Sequence, residues 1–245
     1  MKKLFTILCL VTGFSSAASA ADIAFLNLLT ANQFKLLSED MGSALSYKPV
    51  APAAPLGGLV GFGFDIGVEA SSTDISKSSA ALATASGTTS PVSTLTVPKL
   101  HVVLGLPFGV DVGAFVASVP TTNIKLTGAE LKIATKGGVA TPSVALRGTM
   151  TKMTGVDQLA FDTKSVDLSI SKGFAIFTPY AGIGQVWVTS KANVTGLGGV
   201  ALDESFTQTK YFAGANLNFG ISNFALEADS TGGTSSYSVK FGLRW

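Results

Sequence analysis

The charged residues of this 245-residue chain are sparse, and many stand alone between apolar neighbours. Asp65 and Glu69 alternate with Phe64, Ile66 and Val68, and Asp111 lies between Val110 and Val112. Arg147 follows Leu146, and Asp167 separates Val166 from Leu168. Glu227 and Asp229 flank Ala228, while Lys240 and Arg244 alternate with Phe241 and Leu243. Acids and bases spaced this way can pair across a wet interior and hold it together. They can also line a path whose fixed charges select a solute. Catalysis has thinner support. His101 is the only histidine, and lipid hydrolysis needs a nucleophile, a base and an orienting partner. One histidine inside a strand pattern reads as an interior or interface residue. No His, Asp and Glu spacing suggests a metal site, and no cofactor is expected. The glycines of GFGFDIG at 61–67 sit within a strand pattern, not ahead of a helix, so they form no phosphate-binding loop.

The elements that position these charges follow from a period of two. A first strand at 59–72 sets Phe62, Phe64, Ile66 and Val68 against Gly63, Asp65, Gly67 and Glu69. Further strands are expected at about 98–106, 108–118, 122–135, 141–153, 159–172, 176–190, 205–219 and 224–230. The fourth starts with Ile124 and Leu126 outward, then changes phase to Ala129, Leu131 and Ile133, which predicts a bulge at Gly128. The seventh has no clear phase, because Ile183 and Trp187 share a face with Gln185. The tenth alternates Tyr237, Val239, Phe241, Leu243 and Trp245 with Ser238, Lys240, Gly242 and Arg244. One apolar and one small or charged face fit lipid outside and a lumen inside. Two long connections, 73–97 and 191–204, fall on the same side, and the alternate connections read as short turns. The prediction is an all-β, antiparallel transmembrane β-barrel of ten strands, with twelve as the alternative, preceded by an N-terminal helical segment. Its lumen lining is predicted to be Asp65, Glu69, Asp111, Arg147, Asp167, Glu227, Asp229, Lys240 and Arg244. The inward glycines (Gly63, Gly67, Gly105, Gly109, Gly113, Gly214 and Gly242) either ease curvature or leave room for another segment.

Composition agrees with a membrane location. Charged residues are 13% of the chain, about half the ~25% of an ordinary soluble domain. Residues 1–20 read as a signal peptide: Lys2 and Lys3, an apolar run from Leu4 to Phe14, then Ala18-Ser19-Ala20. Cys9, the only cysteine, would leave with it. So would two of the 17 basic residues, leaving as many bases as the 15 acids and no basic field for nucleic acid. No later run reaches the ~18 apolar residues of a membrane helix. Only helices and closed barrels satisfy the backbone in lipid, so a barrel is implied.

Residues 21–48 read as helix, with a capping box at Thr30 and Gln33. Phe34, Leu37, Met41 and Leu45 share a face and are the candidate plug of the lumen. Pro49, Pro52 and Pro55 end the helix and stiffen the link to the barrel. The expected division is 1–20 signal, 21–58 helix and linker, and 59–245 barrel.

LSEDMGSALSYKP at 37–49 with GFDIGVE at 63–69 resembles an uncharacterised proteobacterial outer-membrane β-barrel protein family. That resemblance implies location and fold, and no activity. Tyr237, Val239, Phe241, Leu243 and Trp245 resemble the C-terminal signature of bacterial outer-membrane barrels. It implies the outer-membrane lipids and the barrel-assembly machinery as partners. A plug ahead of a barrel is also similar to the layout of transporters for hydrophobic compounds, which are larger. The favoured expectation is a narrow channel for a small or amphipathic solute, gated by the N-terminal segment. The alternative is a structural or surface-contact protein acting through its long loops, and a lipid-acting enzyme comes third.

Overall fold

The computed structural model describes residues 23–57, 61–138 and 141–245. The predicted signal peptide and the first residues of the predicted first strand lie outside them. Ten antiparallel strands close into a barrel in sequence order: β1 (Gly63–Asp74), β2 (Thr94–Leu106), β3 (Val110–Ser118), β4 (Lys125–Ala134), β5 (Ser143–Thr154), β6 (Leu159–Ser171), β7 (Phe177–Thr195), β8 (Ala201–Phe219), β9 (Ser222–Thr231) and β10 (Thr234–Arg244). The seam between β1 and β10 pairs Asp65 with Arg244 and Glu69 with Lys240. Full closure satisfies the backbone groups that a free edge would leave exposed.

The outer wall is apolar. Ile66, Val68, Leu100, Val102, Leu131, Leu146, Val166, Leu168, Leu226 and Phe241 all point away from the lumen and are exposed. Large aromatics crowd its turn-side rim, with Phe62, Phe108, Phe174, Phe219 and Trp245 exposed there. An apolar band ending in aromatics is the exterior of a membrane-spanning barrel.

Inside, the two halves differ. Toward the turn side the wall is charged. Toward the loop side the arc from β3 to β8 is largely apolar, with Phe115, Ile124, Leu126, Met153, Leu159, Phe161, Val186, Val188 and Leu202 buried in one cluster, while β1, β9 and β10 present the hydroxyls of Thr73, Thr231, Thr234 and Ser236. Helix α1 (Ala31–Leu45) supplies the other half of that cluster through Phe34, Leu37, Met41, Ala44 and Leu45. Its N-terminus is capped as expected, with the Gln33 amide donating to Thr30 Oγ1 and the Thr30 amide to Gln33 Oε1. A single 3₁₀ turn (Leu26–Leu28) precedes it.

Several expectations need correction. The helix ends at Leu45, not 48, and Ser46 is already extended. No bulge occurs at Gly128: β4 pairs with β3 and β5 in unbroken register. Leu126 and Ile124 therefore face inward, against the plug. The 73–97 loop is shorter than expected and contains α2 (Ser79–Ala85). The predicted loop at 191–204 is mostly strand, because β7 and β8 continue as a tall hairpin with a register shift between Lys191 and Thr195.

Candidate functional site

The charges on the inner wall come together in pairs. Asp65 receives three donors: His101 Nε2 at 3.1 Å, Lys240 Nζ at 3.0 Å and Arg244 Nε at 2.9 Å. Glu69 lies 2.8 Å from Lys99 Nζ and 3.0 Å from His101 Nδ1. Both imidazole nitrogens thus face carboxylates, so neither is turned toward a hydroxyl that it could deprotonate. Gly67 makes this possible, since a Cβ there would stand 2.9 Å from the His101 ring. Asp111 pairs with Lys132 at 2.7 Å, Arg147 Nε lies 3.3 Å from Glu130, and Asp167 lies 3.4 Å from Lys210. Glu227 and Asp229 are buried on the inner face of β9, where Thr231 donates to Asp229 at 3.3 Å. Every predicted lining residue therefore points inward. Lone buried charges would be prohibitive, and ion pairs make most of this lining tolerable, joining adjacent strands except for Asp167–Lys210, which reaches from β6 across to β8.

The same cations hold the N-terminal segment. After α1 the chain runs extended through the charged half. Lys99 Nζ donates to the Lys48 carbonyl at 2.7 Å. Arg147 lies 3.5 Å from the Ala51 carbonyl. Lys132 reaches the carbonyls of Ala54 at 3.0 Å and Pro52 at 3.4 Å. The Ala54 amide donates to Ser171 Oγ at 3.1 Å, and the Leu56 amide to Asp111 at 3.2 Å. Tyr47 stacks on Phe115, with ring centroids 4.5 Å apart. Val50, fully buried, holds a φ of 45°. A β-branched residue in that region is strained by roughly 1–3 kcal/mol.

Gly63 and Gly105 show where glycine admits another segment, because a Cβ at either would collide with Leu56. Gly113 and Gly214 instead make room for wall side chains, Glu130 and Tyr180.

On the loop side α1 has fewer polar ties. Asp40 accepts from the Ser78 amide at 3.0 Å and Thr234 Oγ1 at 2.9 Å. Ser38 bonds Ser190 at 2.9 Å, and Gln208 donates to the Glu39 carbonyl at 3.0 Å. Beside α1 a cleft of about 250 Å³ opens among Ile23, Leu37, Met41, Ile75, Leu82, Val92, Leu95 and Ile124. A second cavity of about 300 Å³ lies at the turn side, lined by Pro52, Leu56, Thr178, Asn218, Arg244 and Trp245. The segment 23–57 stands between them.

Sequence reasoning did not single out Lys99, Lys132, Glu130 and Lys210. Each sits in the inward phase of its strand: Lys132 lies between outward Leu131 and Ile133, and Lys210 precedes outward Tyr211. The alternation that found Asp167 would have found them.

No protein-family model matches this chain, and no curated sequence does. Among solved structures, Neisserial surface protein A is 8% identical over 75% of this chain and 94% of its own, with a TM-score of 0.30. Ail, the attachment invasion locus protein of Yersinia pestis, is 10% identical over 75% and 97%, with a TM-score of 0.31. The translocator domain of the autotransporter NalP from Neisseria meningitidis is 10% identical over 88% and 95%, with a TM-score of 0.34.

Proposed function

We propose that this chain is a Gram-negative outer-membrane barrel that admits a small apolar or amphipathic molecule at its loop-side mouth, with residues 23–57 as the gate. Location is supported by the apolar exterior with its aromatic rim and by the outward alternation of Tyr237, Val239, Phe241 and Leu243 along β10. The observation that carries the function is the cleft at the mouth. Its apolar wall is shared between the gate (Ile23, Leu37, Met41) and the barrel rim (Ile75, Leu82, Leu95). A molecule seated there touches both at once. Its binding energy can then favour one gate position over another.

The two halves of the gate suit different roles. Charge-assisted hydrogen bonds of about 1.5–3 kcal/mol each anchor the extended half. The helical half rests mainly on apolar packing, which a bound apolar molecule can replace. Strained Val50 lies in the extended segment that follows the helix. On this reading α1 shifts while residues beyond Val50 stay in place.

The test is binding and passage in parallel. Purified protein in detergent should bind the apolar fluorophore N-phenylnaphthylamine saturably. In liposomes, deletion of 23–57 should raise conductance about tenfold or more. A folded, deleted barrel that conducts no better than the whole chain, together with non-saturable fluorophore uptake, would end this reading. The number of ties between segment and wall favours a second one, a permanently closed platform that makes surface contacts through its loops. It expects loss of surface binding when 75–93 and 196–200 are shortened, and no solute passage.

A further inference from the structure

The N-terminal segment crosses the lumen from end to end, in one direction. At the loop-side mouth the Phe25 amide donates to the Ala85 carbonyl at 2.9 Å, and the Leu197 amide to the Leu29 carbonyl at 2.9 Å. At the turn side the Leu56 amide meets Asp111, which lies at the start of β3. The chain therefore reaches the turn side only after passing the whole lumen, and β1 begins from there. Ile23 is left at the mouth with the long loops.

The wall grips this segment by its backbone. Lys99 and Lys132 donate to carbonyls, while Ser171 and Asp111 accept from amides. The side chains of APAAP at 51–55 are small. Contacts to carbonyls and N–H groups recognise an extended polypeptide as such, with little reading of its side chains. Its prolines keep it extended at low entropic cost.

We propose that the lumen is built to hold an extended polypeptide backbone and that the barrel displays the stretch Phe25–Leu28 on its loop-side face. The proposal is independent of solute uptake, because it concerns the side of the wall on which Phe25 and Leu28 lie and not whether a solute passes.

The test compares sides in intact cells. An epitope is inserted between Ala21 and Asp22. Val200→Cys reports the loop side and Lys136→Cys the turn side, each probed with a membrane-impermeant maleimide. The epitope is expected to be reachable under the conditions that label Val200→Cys, and not those that label Lys136→Cys. Should the insertion block folding, Leu28→Cys replaces it, at a residue 48% exposed. An N-terminal reporter that becomes accessible together with Lys136→Cys overturns the proposal.

Discussion

At the scale of single residues, Asp65 is the most connected group in the lumen. It balances Lys240 and Arg244 and orients His101. Asp65→Asn keeps the shape and removes the charge, leaving buried Lys240 and partly buried Arg244 short of a partner. Breaking such a pair costs about 3–5 kcal/mol. Guanidinium unfolding of the barrel in detergent should show a loss of that size. The exposed pair Lys191–Asp203, at 3.8 Å, is the contrast. Asp203→Asn should change stability by about 0–1 kcal/mol. Gly128 tests packing instead of charge. A Cβ there would stand 2.1 Å from the Phe115 ring, which carries Tyr47 on its other contact. Gly128→Val should cost about 1–3 kcal/mol and weaken the near-ultraviolet circular dichroism of the stacked rings.

At the scale of elements, α1 is held by what it buries. Leu37 is buried in the loop-side cluster, at the edge of the cleft. Leu37→Asp places a carboxylate there without a partner, and unpaired burial of a charge is not sustained. The helix should leave its seat, so that protease cuts within 30–50 much faster while the strands stay folded by heat-modifiability on gels. Equal resistance to protease would show that the extended half alone fixes the helix. The phase of β7 is obscure in the sequence because polar Gln185 shares the outward face with Ile183 and Trp187, while the inward Val186 and Val188 are just as apolar. The same cause produced the false bulge in β4, where inward Leu126 imitated a lipid-facing residue. Alternation is readable only where the two faces differ in polarity. The plug removes that difference in the loop-side half.

For the whole molecule, the exterior sets where it can reside. Val102, outward between Leu100 and Leu104, lies within the apolar band. Val102→Arg should destabilise the barrel in lipid vesicles by about 2–4 kcal/mol, the cost of a cation facing hydrocarbon near the midplane. A negligible effect would place that wall in water. The interior decides whether anything passes. A ten-stranded barrel is narrow, and this one is filled by its own N-terminal segment between two end cavities.

The sequence by itself determined an antiparallel barrel of ten or twelve strands, part of its inward set of charges, and the capped helix ahead of it; closure at ten is seen only in the structure. These follow from local periodicity and local hydrogen bonding, which neighbouring residues carry among themselves. Only the tertiary structure decided which acid meets which base, that Lys99 and Lys132 hold a backbone passing between them, and that the segment runs from the loop-side mouth to the turn side. Those facts depend on closure, which brings β1 beside β10 and encloses residues 23–57, and contacts between parts so distant in the chain leave no mark on its local pattern.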